Sequence, residues 1–252
     1  MPGRRVWASA MHAPAQGPIP SDMLLLAYRN GIFPMADARD DPEVFWVEPR
    51  ERAVIPLDGF NCSRSLRKAL RREDFTVTCN RAFDDVLHAC AAPRPDHEGT
   101  SHEGTWINRR IEESFRALHR EGHAHSLECW RDGELVGGLY GLAVDRAFCG
   151  ESMFSRADNA SKVALAWLVA LLRRAGFVLL DCQFMTAHLA SLGAVELSQT
   201  RYCALLEDAR GAPGASLPEA YSSLLAESGA APSSPESSSP GKLIAQSFTQ
   251  TS

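Results

Sequence analysis

Residues 124–198 constrain the fold more than any other stretch of the chain. Three strand-like runs, "HSLECWRD", "ELVGGLYGLAV" and "AFCGESMF", are separated only by the tight turns at Asp132-Gly133 and Asp145-Arg146. Connections this short join antiparallel neighbours, so the runs predict a hairpin-linked meander. "DNASKVALAWLVALLRRAG" follows, with Val163, Trp167, Ala170 and Leu171 at helical spacing. Arg173 and Arg174 end this long helix and Gly176 stops it. "FVLLDCQ" then reads as a buried strand and "TAHLASLGAVEL" as a short helix and a strand. The order predicts an α+β fold, a mixed and mostly antiparallel sheet flanked by helices.

Upstream, "SDMLLLAYRNGIF" predicts a helix opening at Ser21 or Asp22 and stopping at Asn30-Gly31. "VFWVEPRERAVIPL" predicts one or two short strands, broken at Pro49 and ended at Pro56. Residues 61–72, "NCSRSLRKALRR", predict a helix capped at Asn61 or Ser63. "FTVTC" (a strand), "RAFDDVLHACA" (a helix), the polar loop "APRPDHEGTSHEG" and the helix "NRRIEESFRALHREG" complete the series. Three units are expected: a small N-terminal domain over 1–58, a larger domain over 59–208, and a tail over 209–252. The first 20 residues and the Gly/Ala/Pro/Ser-rich tail are expected to be disordered.

A net charge of −5 carries no global basic signature, so any nucleic-acid contact must be a local patch. Arg64, Arg67, Lys68, Arg71 and Arg72 supply one, at i, i+3, i+4, i+7 and i+8 on a single helix face. Such a stripe is usually a solvated face; in a net-acidic chain it is also the best surface for phosphates. Arg109, Arg110, Arg173 and Arg174 add weaker positive charge. Seven cysteines without a CxxC pair fit reduced thiols and a cytoplasmic setting. No signal-peptide pattern or membrane-length apolar run is seen, and a monomer is expected. His119, His123 and His125 straddle a helix end and a strand start, without standard ligand spacing, so no metal is expected. With no phosphate-cradling Gly-rich loop either, no cofactor is expected.

The chemistry concentrates at the end of "FVLLDCQ". Strand alternation puts Asp181 and Gln183 on one face and Cys182 on the other. A carboxylate and an amide at the end of an apolar strand are costly unless something uses them. The bland alternative is that Asp181 caps the helix at "TAHL". Glu151, in "CGESMF", is a second carboxylate in apolar surroundings, either satisfied by the backbone or part of a site.

The blocks "AYRNGIFPM" (27–35), "GTWI" (104–107), "LHREGHAHSLECW" (118–130), "LVGGLYG" (135–141), "FCGESMFSR" (148–156), "ASK" (160–162), "DCQ" (181–183) and "HLASLGA" (188–194) occur in order. Together they resemble the leucyl/phenylalanyl-tRNA–protein transferase family over about residues 21–203. One segment departs from the family pattern. A motif often written Trp-Trp-Ser-Pro-Asp-Pro-Arg is "FWVEPRERAV" here, with Phe45 at the first tryptophan and Trp46 at the second.

The element order also resembles the acetyl-CoA-dependent N-acetyltransferase fold. The family resemblance implies transfer of Leu or Phe, with Met a third candidate, from aminoacyl-tRNA to a protein that begins with Arg or Lys, marking it for degradation. It implies catalytic roles for Asp181, Gln183 and Glu151, with Gln183 accepting a hydrogen bond from the attacking amine and Asp181 polarising Gln183 or binding the nascent ammonium or the basic acceptor side chain. It also implies an aminoacyl and adenosine site built from Trp46, Trp106, Leu139, Phe148, Gly150 and Leu180. On a regular strand Leu180 faces away from Asp181, so these assignments require the strand end to twist or bulge. Two rivals stand beside this reading. An acetyl-CoA-dependent acyltransferase would need glycine where "SRADNASKVA" has none, and a silent tRNA-binding module would not need Asp181, Gln183 and Glu151.

Overall fold

The computed structural model describes residues 3–6, 17–92, 105–229 and 239–249. The N-terminal segment apart from 3–6 and 17–20, and nearly all of the polar loop before Thr105, lie outside the described residues. Strands β1 (Gly3–Val6), β2 (Phe33–Met35) and β3 (Phe45–Pro49) form a three-stranded antiparallel sheet ordered β1-β3-β2, with helix α1 (Ser21–Arg29) preceding β2. Next come β4 (Glu51–Ile55), α2 (Arg64–Arg72), β5 (Thr76–Cys79), α3 (Phe83–Ala91) and α4 (Arg109–Arg120). The meander is β6 (Ala124–Arg131), β7 (Glu134–Val144) and β8 (Ala147–Ser155), followed by α5 (Ala160–Ala175) and β9 (Leu179–Gln183). The chain continues through α6 (Ala187–Ser191), β10 (Val195–Ser198), α7 (Gln199–Asp208), α8 (Leu217–Gly229) and α9 (Pro240–Ser247).

Seven strands form the main sheet in the order β10-β4-β9-β8-β7-β6-β5. Every pair is antiparallel except β8–β9, which is parallel because α5 carries the chain back across the sheet. Gly176 ends α5 with φ 80°, a left-handed turn that suits glycine and aims the chain into β9. The predicted α+β order therefore holds from β6 to β10.

Each sheet face has its own core. On one side Leu66 and Leu70 of α2, Leu165 and Leu168 of α5, Leu224 of α8 and Ile244 of α9 pack together. On the other, Leu24 and Tyr28 of α1, Phe33 and Val47 of the small sheet, Leu87 of α3 and Phe115 of α4 form the second layer. Tyr202 and Leu206 of α7 cover Val54, Ala147 and Leu179 beside them.

Four expectations change. β4 falls inside the range 1–58, yet it is inserted into the main sheet between β10 and β9, so that boundary cuts through the sheet. Residues 217–229 and 240–247 are helical and buried against α5 and α2, not a disordered tail. Gly-, Pro- and Ser-rich connections masked two apolar stripes, Leu217/Ala220/Leu224 and Ile244/Ala245/Phe248. α1 is preceded by Pro20 and has no side-chain cap, whereas Ser63 caps α2 by accepting from Leu66 N at 3.2 Å. Helix α7 was not foreseen.

Candidate functional site

The parallel β8–β9 ladder ends at Cys149 opposite Asp181. Beyond it β8 runs on through Gly150–Ser155 and β9 through Cys182–Gln183 with no further pairing between them. The backbone peels away there: Gln183 has φ 62°, and Phe184 N donates to Cys182 O at 2.8 Å. A non-glycine residue held in the left-handed region carries strain of about 1–3 kcal/mol, which surrounding contacts must hold in place. The mouth of this splay is closed by side chains, with Gln183 Nε2 donating to Glu151 Oε1 at 2.9 Å.

Asp181 is the anchor behind that mouth. It is fully buried, and Arg52 of β4, also fully buried, grips it with Nε to Oδ1 at 2.8 Å and Nη2 to Oδ2 at 2.6 Å. Gln183 N donates to Oδ1 at 2.9 Å and the Tyr202 hydroxyl to Oδ2 at 3.1 Å. The guanidinium lies between the rings of Phe33 and Tyr202, at 4.7 and 4.4 Å from their centroids. Its Nη1 donates to Gly31 O at 3.0 Å. Burial alone would lower the pKa of Arg52, but the Asp181 charge prevails and holds it above the ordinary arginine range. The charged guanidinium is thus doubly hydrogen-bonded to the carboxylate and shielded from solvent, the arrangement in which a buried ion pair holds its partners in one geometry.

This geometry corrects two readings of Asp181. Both oxygens are committed and shielded from solvent, so Asp181 cannot hold an acceptor's ammonium or basic side chain. Nor does it cap α6, because Thr186 does, accepting from Leu189 N at 3.1 Å. Its contact with Gln183 is through the backbone N–H, so it sets the position of that residue and does not polarise the amide.

Glu151 is buried at the other side of the mouth. Burial raises its pKa to about 8, the Tyr28 and Gln183 groups pulling it down only in part. At neutral pH it is mainly the uncharged acid. The buried Tyr28 hydroxyl acts on this carboxyl group, yet both that hydroxyl and Glu151 Oε2 are left without a hydrogen-bond partner among the described residues. The Tyr140 hydroxyl, from the neighbouring strand β7, is likewise buried without a partner.

The remaining candidates divide between the two sheet faces. Trp46 and Trp106 are half-buried against the second core, with Met35, Phe45, Phe154 and Phe184 beside them. Gly150 stands at the apex of the splay, directly after the last paired residue. Leu139, Phe148 and Leu180 are buried in the first core, on the α5 side. They do not join Trp46 and Trp106 on one wall, and the expected single pocket is not formed by these six residues. On α2, Arg64, Lys68, Arg71 and Arg72 are exposed. Arg67 is half-buried and folds back to Cys62 O at 3.2 Å, so it leaves the stripe. Arg173 pairs with Asp58, Arg174 with Glu227, and Arg110 Nε donates to Gly17 O.

His119 stacks on Phe83 with ring centroids 4.0 Å apart, and His125 bonds Asn80 and is kept neutral by burial, its pKa pushed down to about 4. No group of three or more metal-ligating side chains comes together among the described residues. Two cavities, about 310 and 220 Å³, lie elsewhere, the first against His123, Asp145, Phe177 and Leu217, the second between α5, α8 and α9.

Arg52, Tyr202, Phe33 and Tyr28 were absent from the sequence-based site. One signal for Arg52 was available: a lone arginine inside "RAVI", a run otherwise apolar enough to be a buried strand, needs a buried anion. Tyr202 belongs to the unforeseen α7, and nothing local marks Tyr28 or Phe33 as more than core.

Residues 54–207 match the family model described as Leucyl/phenylalanyl-tRNA protein transferase, and residues 17–50 match the model of its N-terminal domain. A Novosphingobium aromaticivorans protein named Leucyl/phenylalanyl-tRNA--protein transferase is 54% identical over 266 residues, covering 93% of this chain and 97% of its own. A protein of the same name from Rhizorhabdus wittichii is 58% identical over 196 residues, 77% of this chain and 76% of its own. Among solved structures, L-PGS from Bacillus licheniformis is similar with a TM-score of 0.37 and 16% identity, over 68% of this chain and 55% of that one.

Proposed function

The chain belongs to the leucyl/phenylalanyl-tRNA–protein transferase family, and from that membership we propose how its site performs aminoacyl transfer. It is an aminoacyltransferase that moves an amino acid from tRNA to a protein N-terminus. In our reading the donors are Leu and Phe, the acceptors begin with Arg or Lys, and the transfer marks them for degradation in the cytoplasm. Among the described residues no helix is long and apolar enough to cross a membrane.

The observation that carries the mechanism is the Gln183–Glu151 hydrogen bond across the β8–β9 mouth. It commits the amide nitrogen, so the amide oxygen is the end that can accept from an incoming amine. An α-amine with a pKa near 8 has a useful neutral fraction at pH 7. Gln183 Oε1 orients that amine, and its lone pair attacks the ester carbonyl at the tRNA 3′ end. The new C–N bond forms as the ester C–O bond breaks, and the surplus amine proton leaves on the ribose hydroxyl. The ester is already activated, so alignment is the main contribution of the protein. Glu151 and Asp181 are positioning residues here, one fixing the amide and the other the backbone of Gln183. Trp46 and Trp106 offer faces for the terminal adenine, and Gly150 leaves space at the apex. The exposed cations of α2 take acceptor-stem phosphates. The segment leading into α2 is tied to the end of α6 and the turn that follows, where Asn61 Nδ2 donates to Ser191 O at 3.0 Å and Asn61 N to Leu192 O at 2.9 Å.

The test is transfer of labelled leucine from charged tRNA to a protein beginning with Arg. Gln183→Ala should lower kcat by roughly 10²-fold or more, the scale of a misaligned reacting group, with tRNA affinity nearly unchanged. Wild-type turnover in the variant removes this mechanism, and acetylation that depends on acetyl-CoA would favour the rival acyltransferase.

A further inference from the structure

The match to the family model ends at residue 207, and α8 and α9 lie beyond it. α9 is seated on the back of the cationic helix α2, burying Gly241, Ile244 and Ala245. At one end of the seat the two helices meet terminus to terminus. Glu73, the left-handed C-cap of α2, accepts from Gly241 N at 3.3 Å, and the partial positive end of α9 faces the partial negative end of α2. The approach is so close that a Cβ on Gly241 would stand 2.1 Å from Leu70 O, a backbone atom that cannot swing aside. At the far end Phe248 packs on Phe60, ring centroids 5.0 Å apart, and Arg173 reaches from α5 to Ser247 O and to Asp58. Arg71 and Arg72, the last cations of the stripe, stand in the turn of α2 that α9 clasps.

We infer that α9 is a positioning element for the tRNA-binding face of α2, holding the distal half of its cationic stripe in register with the acceptor stem. The inference rests on the reading of α2 as that surface. The α6 turn fixes the near end of α2, α9 fixes the far end, and both ends must be held for a rigid row of charges to meet regularly spaced phosphates.

Gly241→Leu in the full chain tests it, read with two donors: leucyl-tRNA, and leucyl-adenosine, which has no stem to reach α2. KM for leucyl-tRNA should rise on the order of tenfold with a shallower salt dependence, the mark of one or two phosphates left without a cation. Turnover of leucyl-adenosine should stay within about twofold. Equal losses on both donors would mean general loosening and overturn the inference, as would no change on either. Phe248→Ala is read the same way should Gly241→Leu fail to fold. Charge reversal at Arg64 and Lys68 separates the two layers. If it leaves the tRNA KM unchanged, the docking surface falls; if it raises KM while the α9 variants do not, only the present inference falls.

Discussion

Glu151 and Asp181 are both buried carboxylates, yet the groups set on their oxygens differ sharply. Asp181 has an arginine, a tyrosine and a backbone N–H on its oxygens. Glu151 has an amide on one oxygen and none on the other, and its pKa rises from 4.5 to about 8 because burial penalises its charge. The sign of the consequence follows. The folded state keeps the proton up to about pH 8 while the unfolded chain loses it near 4.5, so this residue's contribution is whole below pH 4.5 and fades as pH rises toward 8. Glu151→Gln removes that proton linkage while preserving a polar group of similar size. Its melting temperature relative to wild type should climb between pH 5 and pH 8, by an amount reflecting several kcal/mol at most. A pH-independent difference between the two melting curves would show that Glu151 ionises freely in the fold.

At the scale of elements, α2 offers the cleanest separation of binding from chemistry. Reversing Arg64, Lys68 and Arg71 to Glu should weaken tRNA binding and lower the slope of log affinity against log salt by about 0.7–0.9 for each phosphate no longer neutralised. Titrations at several salt concentrations check this, and an unchanged slope would place the stem elsewhere. The helix itself was legible in the sequence because its cap, apolar stripe and cationic stripe agree. The meander, α5 and β9 were legible for the same reason, with tight turns and a Gly stop reinforcing the periodicity. α8 and α9 were not, because their stripes are short and separated by residues that lower any average of hydrophobicity. The candidate site was legible only in part. Gln183 and Glu151 meet as a pair, whereas Arg52, Tyr202 and Tyr28 come from three elements far apart in sequence. Alternation along β9 placed Leu180 and Asp181 on opposite faces, and the buried clusters separate them in the same way. No local pattern announces that the β8–β9 ladder stops at Cys149 or that Gln183 takes a left-handed backbone.

The whole molecule is held together through the site it builds. The N-terminal sheet and α1 complete the second core layer, so they have no separate interior to fall back on. Arg52 bonds Gly31 on one side and Asp181 on the other, and Phe184, next to Gln183, meets Phe33 edge-on at 5.7 Å. Arg29 of α1 pairs at 2.9 Å with Asp145 in the turn between β7 and β8, and Ala36 N donates to Trp106 O at 3.1 Å. These ties argue that the N-terminal unit and the main sheet unfold together, whatever boundary a family match draws between residues 50 and 54. Two single-tryptophan variants test this, one keeping Trp46 in the small sheet and the other Trp167 in α5, with the other tryptophans changed to Phe. Their denaturant midpoints should coincide after correction for any shared loss of stability. Should Trp46 report a transition at lower denaturant, the small sheet detaches while the main sheet persists. Arg52 would then hold Asp181 in a molecule whose Gly31 and Phe33 contacts come and go, and the alignment of Gln183 could not depend on them.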